Sequence, residues 1–106
     1  MGWKRSGYCA AAALLLAAGG AQAQDLKALP VQSLAATCAA CHGTQGRAIE
    51  GAAVPGLAGL SAGYLVEQMK AFKSGARQAT VMQQIAKGYS DSQIDQMAAF
   101  FAAQKR

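Results

Sequence analysis

Within this 106-residue chain lies the run Cys38-Ala39-Ala40-Cys41-His42, which has the pattern C-x-x-C-H. Two thiols three positions apart on one helical turn can add to the two vinyl groups of a single porphyrin. The imidazole that follows the second thiol then lies beneath the iron, where it serves as the proximal ligand. The run therefore predicts one covalent c-type haem, bound through Cys38, Cys41 and His42.

Two other chemistries also use closely spaced cysteines. A thiol oxidoreductase places C-x-x-C beside a βαβ pattern, and this chain shows no alternation typical of strands. A zinc site needs a fourth ligand besides Cys38, Cys41 and His42, and the sequence has no second paired set of ligands. Both alternatives are therefore weaker than haem attachment.

The first 23 residues have the composition of a signal peptide. Lys4 and Arg5 form a basic head, and residues 10–18 form an apolar stretch. Ala21-Gln22-Ala23 then provides the small residues of a cleavage site. The apolar stretch ends at Gly19 and is far shorter than the roughly 20 residues that cross a bilayer. We expect cleavage before Gln24 and export to the periplasm without stable membrane insertion, with an uncleaved anchor as the alternative.

The remaining residues, 24–106, form one predicted domain with a modest positive charge. Removal of the first 23 residues eliminates Cys9, so both remaining cysteines belong to the haem motif and no disulfide framework is predicted. Eight basic residues stand against five acidic ones, a net charge of +3. This charge is too small for a nucleic-acid-binding surface, and it favours acidic protein surfaces as partners.

The domain is predicted to be all-α, with helices joined by glycine-rich loops. The predicted elements are a helix from Pro30 to His42 stopped by Gly43, a loop from Gly43 to Gly63, a helix from Ser61 to Ser74 ended by Gly75, a short helix from Thr80 to Lys87 closed by Gly88, and a last helix that starts at the capping box Ser90-Asp91-Ser92-Gln93. Helical spacing predicts apolar faces at Val31, Leu34, Ala35 and Cys38, at Leu65, Met69 and Phe72, and at Ile94, Met97, Ala98 and Phe101. We expect the face on the last helix to pack against the first helix.

The sixth iron ligand decides between an electron carrier and a reactive haem. His42 is the sole histidine, so a second histidine ligand from the same chain is excluded. Met69 and Met97 recur at helical spacing among apolar residues, where a thioether usually fills the core. Met82 follows a loop, forty positions beyond His42, and is the predicted ligand. The alternative is a five-coordinate iron with Met82 packed beside the ring.

These residues resemble class I cytochromes c. The resemblance is carried by the haem motif, by Pro55-Gly56-Leu57-Ala58-Gly59 and by a later methionine. More narrowly, residues 34–43, 64–75 and 79–91 are similar to the haem subunit of flavocytochrome c sulfide dehydrogenases. The halves of tandem dihaem cytochromes c also look related, although this chain has a single C-x-x-C-H.

The resemblance implies a small class I cytochrome c fold, wrapped around one covalent haem. It implies that Pro55 presents its carbonyl to the ring N–H of His42 and that Leu57 packs on the porphyrin. Tyr64 and Arg77 are candidates to reach the haem propionates, with an ordinary surface position as the alternative.

The resemblance also implies an electron-transfer protein that is not itself an enzyme. Its partner would be a flavoprotein subunit that oxidises sulfide, or another redox protein. One rival interpretation is a free-standing cytochrome that shuttles electrons between respiratory complexes, and another is a five-coordinate haem sensor or peroxidase-like protein. Lys70, Lys73 and Arg77 share one predicted helical face and are candidates to steer docking, or else form a solvated face.

Overall fold

The structure is a computed structural model that describes residues 30–106 and contains only helices and loops in that range. The helices are α1 (residues 30–36), α2 (Ala39–His42), α3 (Ala62–Ser74), α4 (Met82–Lys87) and α5 (Asp91–Ala102), with a 3₁₀ turn at Thr44–Gly46. The predicted all-α architecture is therefore confirmed. The predicted signal peptide at residues 1–23 and its cleavage site lie outside the described residues.

The helix predicted from Pro30 to His42 is divided into α1 and α2, so its predicted continuity was wrong. The hydroxyl of Thr37 donates to the carbonyl oxygen of Leu34 at 2.7 Å, and the Thr37 N–H approaches the same oxygen at 3.3 Å. The backbone N–H of Cys38 then donates to the carbonyl oxygen of Ala35, three residues earlier, which tightens the turn. A side chain that hydrogen-bonds its own backbone competes with the helical ladder, which explains the break. Cys38 consequently becomes the residue that precedes α2.

The other helix ends follow the predicted capping residues. The Ser61 hydroxyl accepts from the Tyr64 N–H at the start of α3, and Gly75 ends this helix in a left-handed conformation. At the start of α5, Ser90 and Gln93 form the predicted reciprocal capping box. Helix α4 begins at Met82, two positions after the predicted start.

The buried core joins α5 to α1, as predicted, and also to α3. Its buried members are Ala35, Leu65, Ile94, Met97, Ala98 and Phe101. Burying one large apolar side chain of this kind stabilises a fold by about 1.5–3 kcal/mol. This small cluster positions α1, and therefore also the turn that leads into the C-x-x-C-H motif.

The loop between the haem motif and α3 is fastened to the C-terminal part of the domain. The Gly59 N–H donates to the Phe101 carbonyl at 2.9 Å, and Arg47 Nε donates to the Lys105 carbonyl at 2.7 Å. These two bonds hold the segment that contains Pro55 against the end of α5.

Across residues 30–106, no helix combines the length and the apolar character that a membrane crossing requires.

The side chain of Lys73 links α3 to the start of α5. Its Nζ donates to Asp91 Oδ1 at 3.0 Å and to the Tyr89 carbonyl at 2.7 Å. Lys73 is therefore engaged within the domain. The role of Lys70, Lys73 and Arg77 in docking stays a prediction. The hydrogen bond and charge of Lys73 lower the pKa of the exposed Asp91 carboxyl below its ordinary value of 3.8.

The lowered pKa of Asp91 predicts a pH-dependent contribution to stability. A carboxyl with a lower pKa in the folded state stabilises the fold above its ordinary pKa, and this contribution is lost as the pH falls through the native value. Asp91→Asn should lower the melting temperature slightly near pH 7, and the difference from the wild type should vanish in strong acid. Asp95→Asn, on the same helix, is the matched control. A difference that persists unchanged into acid would contradict the predicted linkage.

Candidate haem-attachment site

The two thiols of the motif lie on one turn, in different environments. Cys38 is half-buried beside the core, whereas Cys41 is exposed, and neither forms a disulfide. Burial raises the pKa of the Cys38 thiol, although a contact of 3.9 Å with the Thr37 hydroxyl acts in the opposite direction. The backbone N–H of His42 donates to the Cys38 carbonyl at 2.9 Å, and this bond closes the turn that bears all three predicted attachment residues.

The imidazole of His42 is buried and has a fixed orientation. Its Nδ1 lies 2.6 Å from the carbonyl oxygen of Pro55. A carbonyl can only accept, so Nδ1 carries the proton of this bond, and in the neutral ring the lone pair is on Nε2. Such an outer hydrogen bond fixes the ring and increases its basicity as a metal ligand. The predicted contact between Pro55 and His42 is confirmed.

Two glycines allow the loop to bring Pro55 to His42. Gly43 has a φ of +84°, and a Cβ at this position would lie 2.0 Å from the Arg47 carbonyl oxygen. Gly46 accepts the N–H groups of Leu57 and Ala58 on its carbonyl, at 2.8 and 3.1 Å. A Cβ on Gly46 would lie 2.9 Å from the ring of Phe101. The close approach of these backbones therefore requires glycine at both positions.

The three methionines among residues 30–106 differ in their relation to the core, as the sequence indicates. Met97 is 4 % exposed within the core, and Met69 packs against that core. Met82 is half-buried, opens α4 and does not belong to the core cluster. Its neighbours Val81 and Ile85 are exposed and form an apolar surface beside it. The assignment of Met82 as the sixth ligand stays a prediction.

Arg77 makes contacts within its own region of the domain. Its guanidinium donates to Gln68 and lies 4.7 Å from the centre of the Phe72 ring. Tyr64 is 47 % exposed, and Leu57 packs against the core. The predicted propionate contacts of Tyr64 and Arg77 and the contact of Leu57 with the porphyrin stay predictions.

The chemistry of these residues fits a covalent haem. Cys38 and Cys41 offer two thiols on one turn, and His42 offers a bare Nε2 whose opposite nitrogen is already occupied. In the part of the chain that the structure describes, no group of three or more His, Cys, Asp or Glu side chains is arranged to hold a bare metal ion. Two thiols and one imidazole on a single turn suit an iron that is carried by a porphyrin.

Thr37 and Tyr89 contribute to the attachment turn, although the sequence did not single them out. Their hydroxyl oxygens are 2.6 Å apart. A threonine directly before the first cysteine is a local signal for a bond back to residue 34. Its partner is 52 positions away, and no local pattern indicates it.

Comparisons with known proteins agree with this geometry. The family model described as "Cytochrome c" matches residues 28–105. The cytochrome subunit of sulfide dehydrogenase from Chlorobaculum tepidum is 37% identical over 102 residues, which cover 87% of this chain and 91% of that protein. Cytochrome c-554(548) from Halomonas halodenitrificans is 40% identical over 72 residues, which cover 65% of this chain and 86% of that protein.

A further relative is considerably longer than this chain. The thiosulfate dehydrogenase electron acceptor of Stutzerimonas stutzeri is 40% identical over 98 residues, which cover 89% of this chain and 45% of that protein. The chain thus spans less than half of the length of this relative. The family match and the C-x-x-C-H run together imply covalent haem c as the cofactor. With its helical class I architecture, this chain belongs to the cytochrome c family.

Proposed function

We propose that this protein is a periplasmic one-electron carrier with a His/Met-ligated haem. The observation that carries the proposal is the buried His42 ring, whose Nδ1 is bonded to Pro55 beside two thiols on the same turn. The haem supplies an Fe(III)/Fe(II) couple. The C-x-x-C-H run, the family match and the signal-peptide composition of residues 1–23 support this proposal.

Each residue of the proposed site has a distinct role. Cys38 and Cys41 would hold the porphyrin through thioether bonds, and His42 would bind the iron through Nε2. Met82 would provide the other protein ligand, whose soft sulfur would favour the reduced iron and raise the reduction potential. With both residues bound to the iron, the site would have no place for a substrate and would transfer electrons without bond chemistry.

The redox partner is proposed to be a sulfur-oxidising enzyme. Relatives include a cytochrome subunit of sulfide dehydrogenase and an electron acceptor of thiosulfate dehydrogenase. In the preferred version, a flavoprotein oxidises sulfide by two electrons and delivers them singly to this protein. The second candidate is a freely diffusing carrier, and the relative named as an electron acceptor favours it.

Redox titration of the purified holoprotein tests the carrier proposal. We expect a reversible one-electron transition and a ferrous form that does not bind carbon monoxide. Carbon monoxide binding by the native ferrous protein, or peroxidase turnover by the ferric protein, would instead identify a five-coordinate haem. The wild-type protein alone is sufficient for this measurement.

Gel filtration of a periplasmic extract at low salt tests the partner. Haem and flavin absorbance would be followed across the eluate, before and after addition of sulfide or thiosulfate. Co-elution of haem with flavin, and haem reduction by sulfide, support the flavoprotein complex. A haem peak at the mass of a small monomer that sulfide does not reduce overturns that complex and favours the diffusing carrier.

A further inference from the structure

The phenol of Tyr89 is tied to the turn that leads into the haem motif. Its Oη lies 2.6 Å from Oγ1 of Thr37, and Thr37 in turn donates to the Leu34 carbonyl at 2.7 Å. A hydroxyl has one proton, so Thr37 has none left for Tyr89, and Tyr89 must be the donor. The hydroxyl of Tyr89 therefore bonds the residue directly before Cys38.

The backbone of Tyr89 forms hydrogen bonds with residues of α3 and α4. Its carbonyl accepts from Lys73 Nζ at 2.7 Å, and its N–H donates to the Ala86 carbonyl at 3.3 Å. Ala86 belongs to α4 and is 0% exposed. Tyr89 thus extends the buried end of the helix whose first residue is Met82.

Helix α4 is short and is held in place by tertiary contacts, which include its packing against α3. It contains six residues, its first turn has no side-chain cap, and Val81 and Ile85 are exposed. A helix this short is not stable by itself and depends on tertiary contacts. Its placement therefore depends on packing against α3, on the buried Ala86 and on the bonds of Tyr89, which alone among these link it to the turn before Cys38.

We propose that Tyr89 is a positioning residue whose hydroxyl couples α4, and with it the Met82 sulfur, to the attachment turn of Cys38. This inference rests on the proposed function, in which Met82 is the sixth ligand. A thioether favours the reduced iron, so the Met82 bond is weakest in the ferric protein. Loss of the Tyr89 bond should therefore release Met82 from ferric iron before the fold unfolds.

Urea titration of the ferric holoprotein with two simultaneous signals tests this coupling. The sulfur-to-iron charge-transfer absorption reports Met82 ligation, and far-ultraviolet circular dichroism reports helix content. In Tyr89→Phe, the equilibrium constant for ligand loss should rise about fivefold, the effect of one net hydrogen bond. The urea midpoint of the helix signal, and Met82 ligation in the ferrous protein, should change less.

Substitutions at Thr37 provide matched controls. Thr37→Val removes the same bond together with the bond to Leu34, so it should release Met82 at least as readily as Tyr89→Phe does. Thr37→Ser keeps the hydroxyl and should behave like the wild type. In the double variant Tyr89→Phe/Thr37→Val, the equilibrium constant for ligand loss should be little higher than in Thr37→Val alone. Thr44→Val is the control for replacing a threonine by a valine, because the Thr44 hydroxyl makes no hydrogen bond within residues 30–106.

Equal shifts of ligand loss and helix unfolding, or additive effects in the double variant, would overturn the proposal. Should Tyr89→Phe fail to fold, the comparison of Thr37→Val with Thr37→Ser decides the question. A wild-type protein without the charge-transfer band would overturn both His/Met ligation and this inference. That result comes from the wild type alone, so the two failures are distinguishable.

Discussion

Met82→Leu is expected to open the sixth coordination position and to lower the reduction potential strongly. The substitution retains an apolar side chain of similar volume but removes the thioether that favours Fe(II). Axial ligands tune haem potentials over a range of about 0.8 V, and the loss should be a substantial part of that range. Redox titration and carbon monoxide binding by the ferrous variant measure both consequences.

Two other methionines provide matched controls for this experiment. Met69→Leu and Met97→Leu make the same chemical change at positions that pack in or against the core. Each should retain the wild-type potential and exclude carbon monoxide. If Met82→Leu instead behaves like these controls, Met82 is not the ligand, and the five-coordinate alternative gains support.

Gly43→Ala is expected to cost more than about 4 kcal/mol of folding free energy, a range that few mechanisms reach. The new Cβ would lie 2.0 Å from the Arg47 carbonyl, a backbone atom that cannot rotate away. The φ of +84° and ψ of 160° at Gly43 lie in a region that is essentially restricted to glycine, which adds about 1–3 kcal/mol of backbone strain. Since domains are stable by only about 5–15 kcal/mol, little folded, haem-loaded protein should be recovered.

Gly51→Ala separates the two contributions to this effect. Gly51 has a similar φ of +78°, but a Cβ there would meet nothing within 4 Å. In this variant, the free energy of unfolding should therefore decrease only by the cost of backbone strain, and the protein should still attach haem. Haem content per chain and urea unfolding measure both variants. Equal destabilisation by the two substitutions would show that the contact with Arg47 is not the cause.

Locally encoded features of the fold were predictable from the sequence. The capping box at Ser90 and the glycine at position 75 act through hydrogen bonds and torsion angles of neighbouring residues, so their patterns indicated the ends of α3 and α5. The contact between Pro55 and His42 followed only from the family resemblance. Nothing in the spacing of these two residues indicates which carbonyl reaches the ring.

Features that depend on distant partners were not predictable in this way. The hydroxyl of Thr37 lies 2.6 Å from that of Tyr89, 52 positions away, and no local pattern indicates this contact. The bonds from Lys73 to Asp91 and to the Tyr89 carbonyl likewise join residues that are distant in sequence. In both cases the fold brings the partner into reach, and helical periodicity does not indicate it.

The attachment of the Pro55 segment to the end of α5 has a consequence for the order of folding. The turn that carries Cys38 and Cys41 closes through hydrogen bonds between near neighbours in the sequence. The bonds of Arg47 with Lys105 and of Gly59 with Phe101 instead join residues that are far apart in the sequence. Contacts between distant residues form more slowly, because a long loop must close first. We therefore expect the two thiols to be presented early in maturation and the imidazole to acquire its orientation only after the C-terminal helix has docked.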